Sequence, residues 1–417
     1  MPTYTASERL ADVRYEIRGA LSRRAHELEK KGHEIVHLNI GNPGRFGFRT
    51  PQTMRQAIIE NMESAEAYCH QKGIFPAREA VVMQQQSRGV MDVTAEEVFI
   101  GNGVSELIDL TLRGLLNPGD EVLVPSPTYP LWTASVTLNG GRPVHYPCPP
   151  QAQFQPDLDA MRAFISPRTR AIVLINPNNP TGAVYPESVL RDIAALAREF
   201  DLVIMADEIY DAMTYDNVPF TPMATVADGC LCLTYSGLSK VYRACGYRVG
   251  WCSISGRKAD STQYLEGLEL LAALRLCSNV TAQWAVQTAL GGYQSIYELT
   301  APGGRLFEAR RTIIDAVNAS EYLHLVAPQG AMYAFVGVDT AQFVDFDDEV
   351  FALRLLEDEH VLLAPGSSFN TPYKNYFRIT LLPEPAQLRE VFAKINHVLE
   401  QLQHAGSVAG NQAATAT

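Results

Sequence analysis

The chain has 417 residues, 47% of them hydrophobic and 19% charged, which is enough apolar side chain for a buried core and excludes global disorder. Its formal charge of −12 argues against a nucleic-acid scaffold or an anionic membrane as partner, because both call for a basic face. The longest apolar runs are strand-sized and far short of a membrane span, and the length suits two domains, or one large and one small.

Residues 1–19 carry no apolar run of signal-peptide type. The seven cysteines (69, 148, 230, 232, 245, 252, 277) are odd in number and form no C-x-x-C pair. Together these features lead to the expectation of a cytosolic protein with reduced, buried thiols and no metal. The first 45 residues are expected to cross between domains and to belong with the smaller one. From residue 96 onward, short apolar runs alternate with helical patterns. The runs "EVFI" (97–100), "EVLVP" (121–125), "AIVLI" (171–175), "LVIMA" (202–206), "LCLTY" (231–235) and "RVGWCSI" (248–254) read as strands. Between them, "SELIDLTLRGLL" (105–116) and "ESVLRDIAALAREF" (187–200) repeat apolar residues every three to four positions, the helical period. Nearly continuous apolar strands followed by helices indicate an α/β fold with a largely parallel sheet covered on both faces. A break at "ALGGYQS…TAPGGRL" ends a large domain spanning 46–295. A smaller α+β domain is expected over 296–404, and 405–417 is small, polar and expected to be disordered.

Ligands of open parallel sheets bind beyond the carboxyl ends of the strands, so the loops after the strands matter most. "GNGVSE" (101–106) is a glycine turn feeding a helix N-terminus, a seat for phosphate. Glu106 stands where a dinucleotide fingerprint needs its third glycine, which points to a single phosphate and not to NAD. "NPNNPTG" (176–182) makes a tight loop whose asparagine amides can meet a ligand, or a helix-preceding turn capped by Thr181. "DEIY" (207–210) puts an acid at the end of a buried strand, where it faces a cation or an internal ion pair. Lys240 in "SGLSKVYRACGYRVGW" (236–251), taken alone, reads as a surface lysine. Flanked by small residues in a pocket holding other cations, it would have a lowered pKa suited to Schiff-base chemistry. Arg248 opens the next strand, where its guanidinium can grip a phosphate. An amide, an acid, an amine and a phosphate clamp on successive strand ends define a pocket for pyridoxal phosphate.

The ordered set N-P-T-G (179–182), D-E-I-Y (207–210), S-K (239–240) and G-Y-R-V-G (246–250) resembles the fold-type I, class I/II pyridoxal-phosphate aminotransferases over about residues 15–400. "LNIGNP" (38–43), "GNGVSELI" (101–108), "PLWTA" (130–134), "INPNNPTGAVY" (175–185), "ALGGYQSI" (289–296) and "FRIT" (377–380) are similar to the bacterial alanine (glutamate–pyruvate) aminotransferase group. The resemblance implies a large domain with a mostly parallel seven-stranded sheet flanked by helices. It also implies transfer of an amino group from glutamate to pyruvate, ping-pong through pyridoxamine phosphate, in a cytoplasmic homodimer with shared active sites. Lys240 would hold pyridoxal 5'-phosphate and move the substrate proton; Asp207 would pair with the ring nitrogen. Tyr210 and Asn179 would bond the ring oxygen, and Tyr129 would stack on the ring. Arg248, Gly103, Val104, Ser105 and Ser239 would hold the phosphate, joined by Tyr68 reaching in from the neighbouring subunit. Asn179, Arg378 and Gly41 would take the substrate α-carboxylate, with Tyr15 and Arg18 closing over it. Gly237 departs from the serine many relatives carry there, leaving Ser236 or Ser239 as substitutes. Arg45 reads as a solvated loop residue or as a reader of an acidic side chain, and Arg275 as an ion-pair partner or a contact to the distal substrate. The same pocket would serve a β-lyase or another specialised transaminase. A ligand-sensing regulator would carry a basic DNA-binding extension, and none precedes residue 15 in this sequence.

Overall fold

The computed structural model describes residues 4–13, 15, 19–343 and 345–414, with side chains through residue 404. Its centre is a seven-stranded sheet of β1 (Val98–Gly101), β2 (Glu121–Ser126), β3 (Arg142–Pro147), β4 (Thr169–Ile175), β5 (Val203–Asp207), β6 (Leu231–Gly237) and β7 (Gly250–Gly256), in the order β1-β7-β6-β5-β4-β2-β3. All neighbours are parallel except β7, which runs against both β1 and β6. The alternation of a strand sends consecutive residues to opposite faces. Ile172, Leu174, Ile204 and Ala206 pack on one side with Leu190 and Ile193 of helix Glu187–Glu199. Ala171, Val173, Ile175 and Met205 pack on the other side with Leu107 and Ile108. Both faces are therefore dry, which accounts for the continuous apolar runs of these strands.

The sequence reading found six of the seven strands and missed β3. Its segment "RPVHYP" carries prolines at 143 and 147. Proline cannot donate to the ladder, and β3 tolerates it because it lies at the sheet edge and pairs only with β2.

A second, antiparallel sheet of β8 (Leu323–Leu325), β9 (Tyr333–Val338), β10 (Ala364–Pro365) and β11 (Tyr376–Thr380) has the order β10-β11-β9-β8. Near the chain start, Val36–His37 pairs in parallel with Val361–Leu362, and Ala25 and Leu28 pack on Leu356 and Leu362. The closing helix Pro385–Ala414 runs into the stretch read above as a disordered tail; alanines at 405, 409, 413 and 414 suit a helical backbone. Among the described residues, no helix is long and apolar enough to cross a membrane.

The main sheet positions the site by its directions. The parallel strands end at one edge of the sheet. Because β7 is reversed, its beginning opens there, which brings Arg248 beside the turn after β1.

Candidate active site

At that edge lies a cavity of about 650 Å³, lined by residues after β1, β4, β5 and β6 and by Tyr333 and Arg378 of the smaller sheet. It brings together Lys240, Asp207, Tyr210, Asn179, Arg248, Val104, Ser105, Ser239, Tyr129, Gly41, Arg378 and Tyr15. Gly103 adjoins it. Tyr68 does not line it and is 78% exposed. Arg18 lies outside the described residues.

The turn after β1 is built by close approach. Gly103 has φ +83°, and a Cβ there would strike the Arg248 guanidinium. A Cβ on Gly250 would meet Gly103 carbonyl carbon at 2.8 Å. Helix α1 (Val104–Leu115) starts here, so its free N–H groups and positive dipole end face the cavity beside Ser105 and Arg248. Glu106, which displaced the dinucleotide reading, folds back to accept from Asn102 N at 2.7 Å and Asn102 Nδ2 at 3.0 Å, and pairs with Arg275 at 3.4 Å. Arg275 also donates to the Ile100 carbonyl and does not line the cavity, so of its two readings the structure supports ion pairing. Arg45 likewise stays exposed and off the lining.

Gly237 has a packing reason. A Cβ there would lie 2.8 Å from the Val249 carbonyl oxygen and 2.9 Å from Gly250 Cα, where β6 meets β7. Ser236 is buried in β6 away from the cavity, whereas Ser239 lines it. Ser239 is thus the available hydroxyl.

Asp207 ends β5 and is 4% exposed. Trp132 Nε1 donates to its Oδ2 at 3.1 Å and Ile209 N to its Oδ1 at 3.3 Å. Burial pushes the carboxyl up to about 6, against the pull of Trp132, Ile209 and Lys240. Lys240 Nζ donates to the Gly41 carbonyl at 2.8 Å. Its pKa corrects the sequence expectation. Burial and Arg378 pull it down, Tyr333, Cys245 and Tyr15 push it up, and the net direction is up. Tyr333 moves the other way: burial raises it, and Lys240 and Arg378 bring it below the ordinary phenol value. Lysine and phenol therefore favour each other's charged form.

Arg378, 1% exposed on β11, lies between two rings, its Cζ 4.2 Å from the centroid of Tyr333 and 4.6 Å from that of Phe369. Nη1 donates to Asn179 Oδ1 at 2.8 Å and Nη2 to the Asn39 carbonyl. Nε is buried with no hydrogen-bond partner among the described residues. A buried donor left open in this way is costly unless a ligand fills it. Asn179 is held by the loop after β4, where Asn178 Oδ1 accepts from Thr181 N and Oγ1 and Asn176 Oδ1 from Tyr185 N. Tyr15 and Tyr129 join hydroxyls at 2.7 Å on another wall of the cavity.

The sequence reading missed Trp132, Tyr333, Cys245 and Asn42. Asn42 follows Gly41 in a segment already singled out, and Cys245 lies between Lys240 and Arg248, so position could have flagged both. Trp132 and Tyr333 are single aromatics in apolar stretches, and only their tertiary contacts mark them.

The donor set fits pyridoxal 5'-phosphate. An amine, a buried acid that gains from a protonated ring nitrogen, and a helix N-terminus beside an arginine stand in one cavity. Arg378 on the cavity wall adds a cation for a carboxylate.

The family model described as aminotransferase class I and II matches residues 33–395. The chain is 48% identical over 377 residues to the glutamate-pyruvate aminotransferase AlaA of Escherichia coli strain K12, covering 90% of this chain and 93% of that protein. It is 45% identical over 397 residues to an alanine aminotransferase of Mycobacterium tuberculosis, with 95% and 92% covered. A solved aminotransferase structure from Escherichia coli superposes with TM-score 0.94 at 46% identity, covering 96% of this chain and 99% of that one.

Proposed function

Since the chain belongs to the class I and II aminotransferases, enzymes that use pyridoxal 5'-phosphate, we propose that it moves an amino group from glutamate to pyruvate, yielding 2-oxoglutarate and alanine in two half-reactions. The observation that carries amino-acid chemistry is the single cavity holding Lys240, Asp207 and Arg378. The choice of glutamate and pyruvate rests on relatives at 45–48% identity named for that activity.

The bound cofactor supplies an electron sink for the substrate's Cα and carries the amino group between half-reactions. The chain's residues bind, orient and move protons. Arg378 takes the α-carboxylate from its place in the cavity wall, steadied by Asn179, with Gly41 lining the same cavity. Lys240 anchors the cofactor and, once freed, is the group that takes and returns the proton at substrate Cα. Asp207 keeps the ring nitrogen protonated, Asn179 and Tyr210 bond the ring oxygen, and Tyr129 covers the ring. Ser105, Ser239, Arg248 and the amides of Gly103 and Val104 hold the phosphate. Tyr15 closes over the substrate.

We also read residues 46–295 as the cofactor-binding domain, 296–404 with the N-terminal segment as the smaller one, 405–417 as a tail, and the working form as a cytoplasmic homodimer. Purified enzyme given alanine and 2-oxoglutarate is expected to form pyruvate and glutamate one for one, and Lys240→Ala to lose both half-reactions. Ammonia release without any acceptor would instead identify a lyase and overturn the proposal.

A further inference from the structure

Helix α2 (Pro130–Leu138) follows β2 and carries Trp132 on its first turn, fully buried against Asp207. The indole is held from two sides. Tyr235 meets it edge-on with centroids 5.5 Å apart, and the Tyr235 hydroxyl is fixed by Thr111 Oγ1 at 2.8 Å. Its one polar atom, Nε1, points at Asp207 Oδ2. We propose that Trp132 is a positioning residue for the cofactor, its N–H holding the Asp207 carboxylate ionised and aimed into the cavity. The proposal rests on the reading that Asp207 meets the cofactor's ring nitrogen.

A buried tryptophan commonly finds an acceptor simply to satisfy its own N–H. This chain offers its own comparison. Trp251 and Trp284 bury their Nε1 atoms with no hydrogen-bond partner among the described residues. The fold thus tolerates an unsatisfied indole twice, and the Trp132 bond is not forced by the indole's needs. The carboxylate is the party short of support. Among the described residues its second oxygen has only the 3.3 Å contact from Ile209 N. The titratable groups around it are Lys240 from the loop after β6, Tyr235 on β6, and Glu208 and Tyr210 beyond β5. Of these only Lys240 offers positive charge, and the cofactor takes that amine into a covalent link. Among the described residues, Trp132 and Ile209 are the hydrogen-bond donors the chain gives Asp207.

The sign follows from the chemistry. A protonated ring nitrogen binds ionised Asp207 best. Removing a donor to the carboxylate raises the pH at which it ionises, by about one to two pH units for a charge-assisted bond. Affinity is then lost near neutrality and regained in mild alkali.

Pyridoxamine phosphate is the probe, because it cannot form the covalent link to Lys240 and so reports the non-covalent contacts, of which the phosphate's are common to wild type and variants. Cofactor-free full-length enzyme is titrated with it from pH 6 to 9. Trp132→Phe is expected to bind about tenfold more weakly than wild type at pH 6.5, the gap closing to within about twofold at pH 8.5. A gap of the same size at every pH, or no gap, overturns the proposal. Replacing Trp132 with 3-benzothienylalanine, which puts sulfur where the N–H is and keeps the ring shape, must give the same pH-dependent gap even if the phenylalanine variant does not fold. Asp207→Asn separates the two layers. It is expected to bind weakly at every pH; wild-type binding by Asp207→Asn would overturn the ring-nitrogen reading itself. Weak binding by Asp207→Asn beside wild-type binding by the Trp132 variants overturns only the role of Trp132.

Discussion

Arg378 shows how much one side chain's chemistry decides. Sandwiched between Tyr333 and Phe369, with one arm on Asn179 and another on the Asn39 carbonyl, it is positioned as a flat fork. Lysine keeps the charge and loses the plane, the stacking and the second arm. Arg378→Lys is therefore expected to lower kcat/KM for both alanine and glutamate by about 100-fold, equivalent to about 2.7 kcal/mol. The loss should fall mostly in KM, with cofactor affinity unchanged. Steady-state kinetics check it, and a change below threefold would remove Arg378 from substrate binding. Arg378 came forward through the family resemblance, whereas Lys240, Asp207, Asn179 and Arg248 stand in the segments around strand ends, where ligands of parallel sheets bind. Tyr333 was not legible. It opens a strand of the smaller sheet, opposite Thr380, and enters the site only because that sheet is folded against the strand ends of the larger one. The upward direction of the Lys240 pKa is hidden in the sequence partly for the same reason, because Tyr333, which raises it, comes from the smaller sheet.

At the scale of elements, the two ends of the parallel strands divide the work. The carboxyl ends carry the site, and the opposite ends hold the sheet together. Glu121, which begins β2, is fully buried and accepts hydrogen bonds from Arg142 at the start of β3 and from Ser166 and Arg168 just before β4. Burial raises its pKa, but these donors overcome that and bring it down to about 2. A carboxyl depressed in the folded state contributes stability above its unfolded value of about 4.3 and loses it as pH falls through the folded one. Glu121→Gln is expected to lower stability by about 1–3 kcal/mol at pH 7, the difference from wild type shrinking between pH 4 and pH 2. The cavity lies at the other edge, so kcat/KM should not move. Denaturant melts at several pH values test this, and a deficit that persists undiminished at pH 2 would overturn it. The strand that Arg142 begins is the one the sequence reading missed: its prolines spoke against a central strand, and nothing local distinguishes an edge strand from a loop.

The whole molecule exposes more apolar surface than its own fold uses. Ile59, Met62, Tyr68, Leu270, Leu274 and Leu276 are all more than half exposed. They sit on segments that touch one another. Helix Gln52–Glu60 packs on the turn Thr281–Trp284, Gln283 of that turn contacts Cys69, and Lys72 pairs with Glu269. Exposed apolar side chains on touching segments are the material of an interaction surface, which suits the homodimer proposed above. Tyr68 is among them and does not line the cavity of its own chain. A second copy of the chain seated on this face both covers the patch and gives Tyr68 a phosphate to reach, which is the arrangement proposed above. Light scattering at about ten micromolar, a concentration at which an interface of standard size is occupied, is expected to give twice the 46.0 kDa chain mass. Leu274→Glu places a charge in the patch and is expected to yield monomers that retain pyridoxal phosphate poorly, although residue 274 touches no part of the cavity. Tyr68→Phe is expected to stay dimeric and to hold the cofactor about tenfold more weakly, the measure of one hydrogen bond to a charged group. Monomers of wild type that bind cofactor and transaminate at full rate would overturn the shared site, because then Tyr68 of the partner subunit has no part in it.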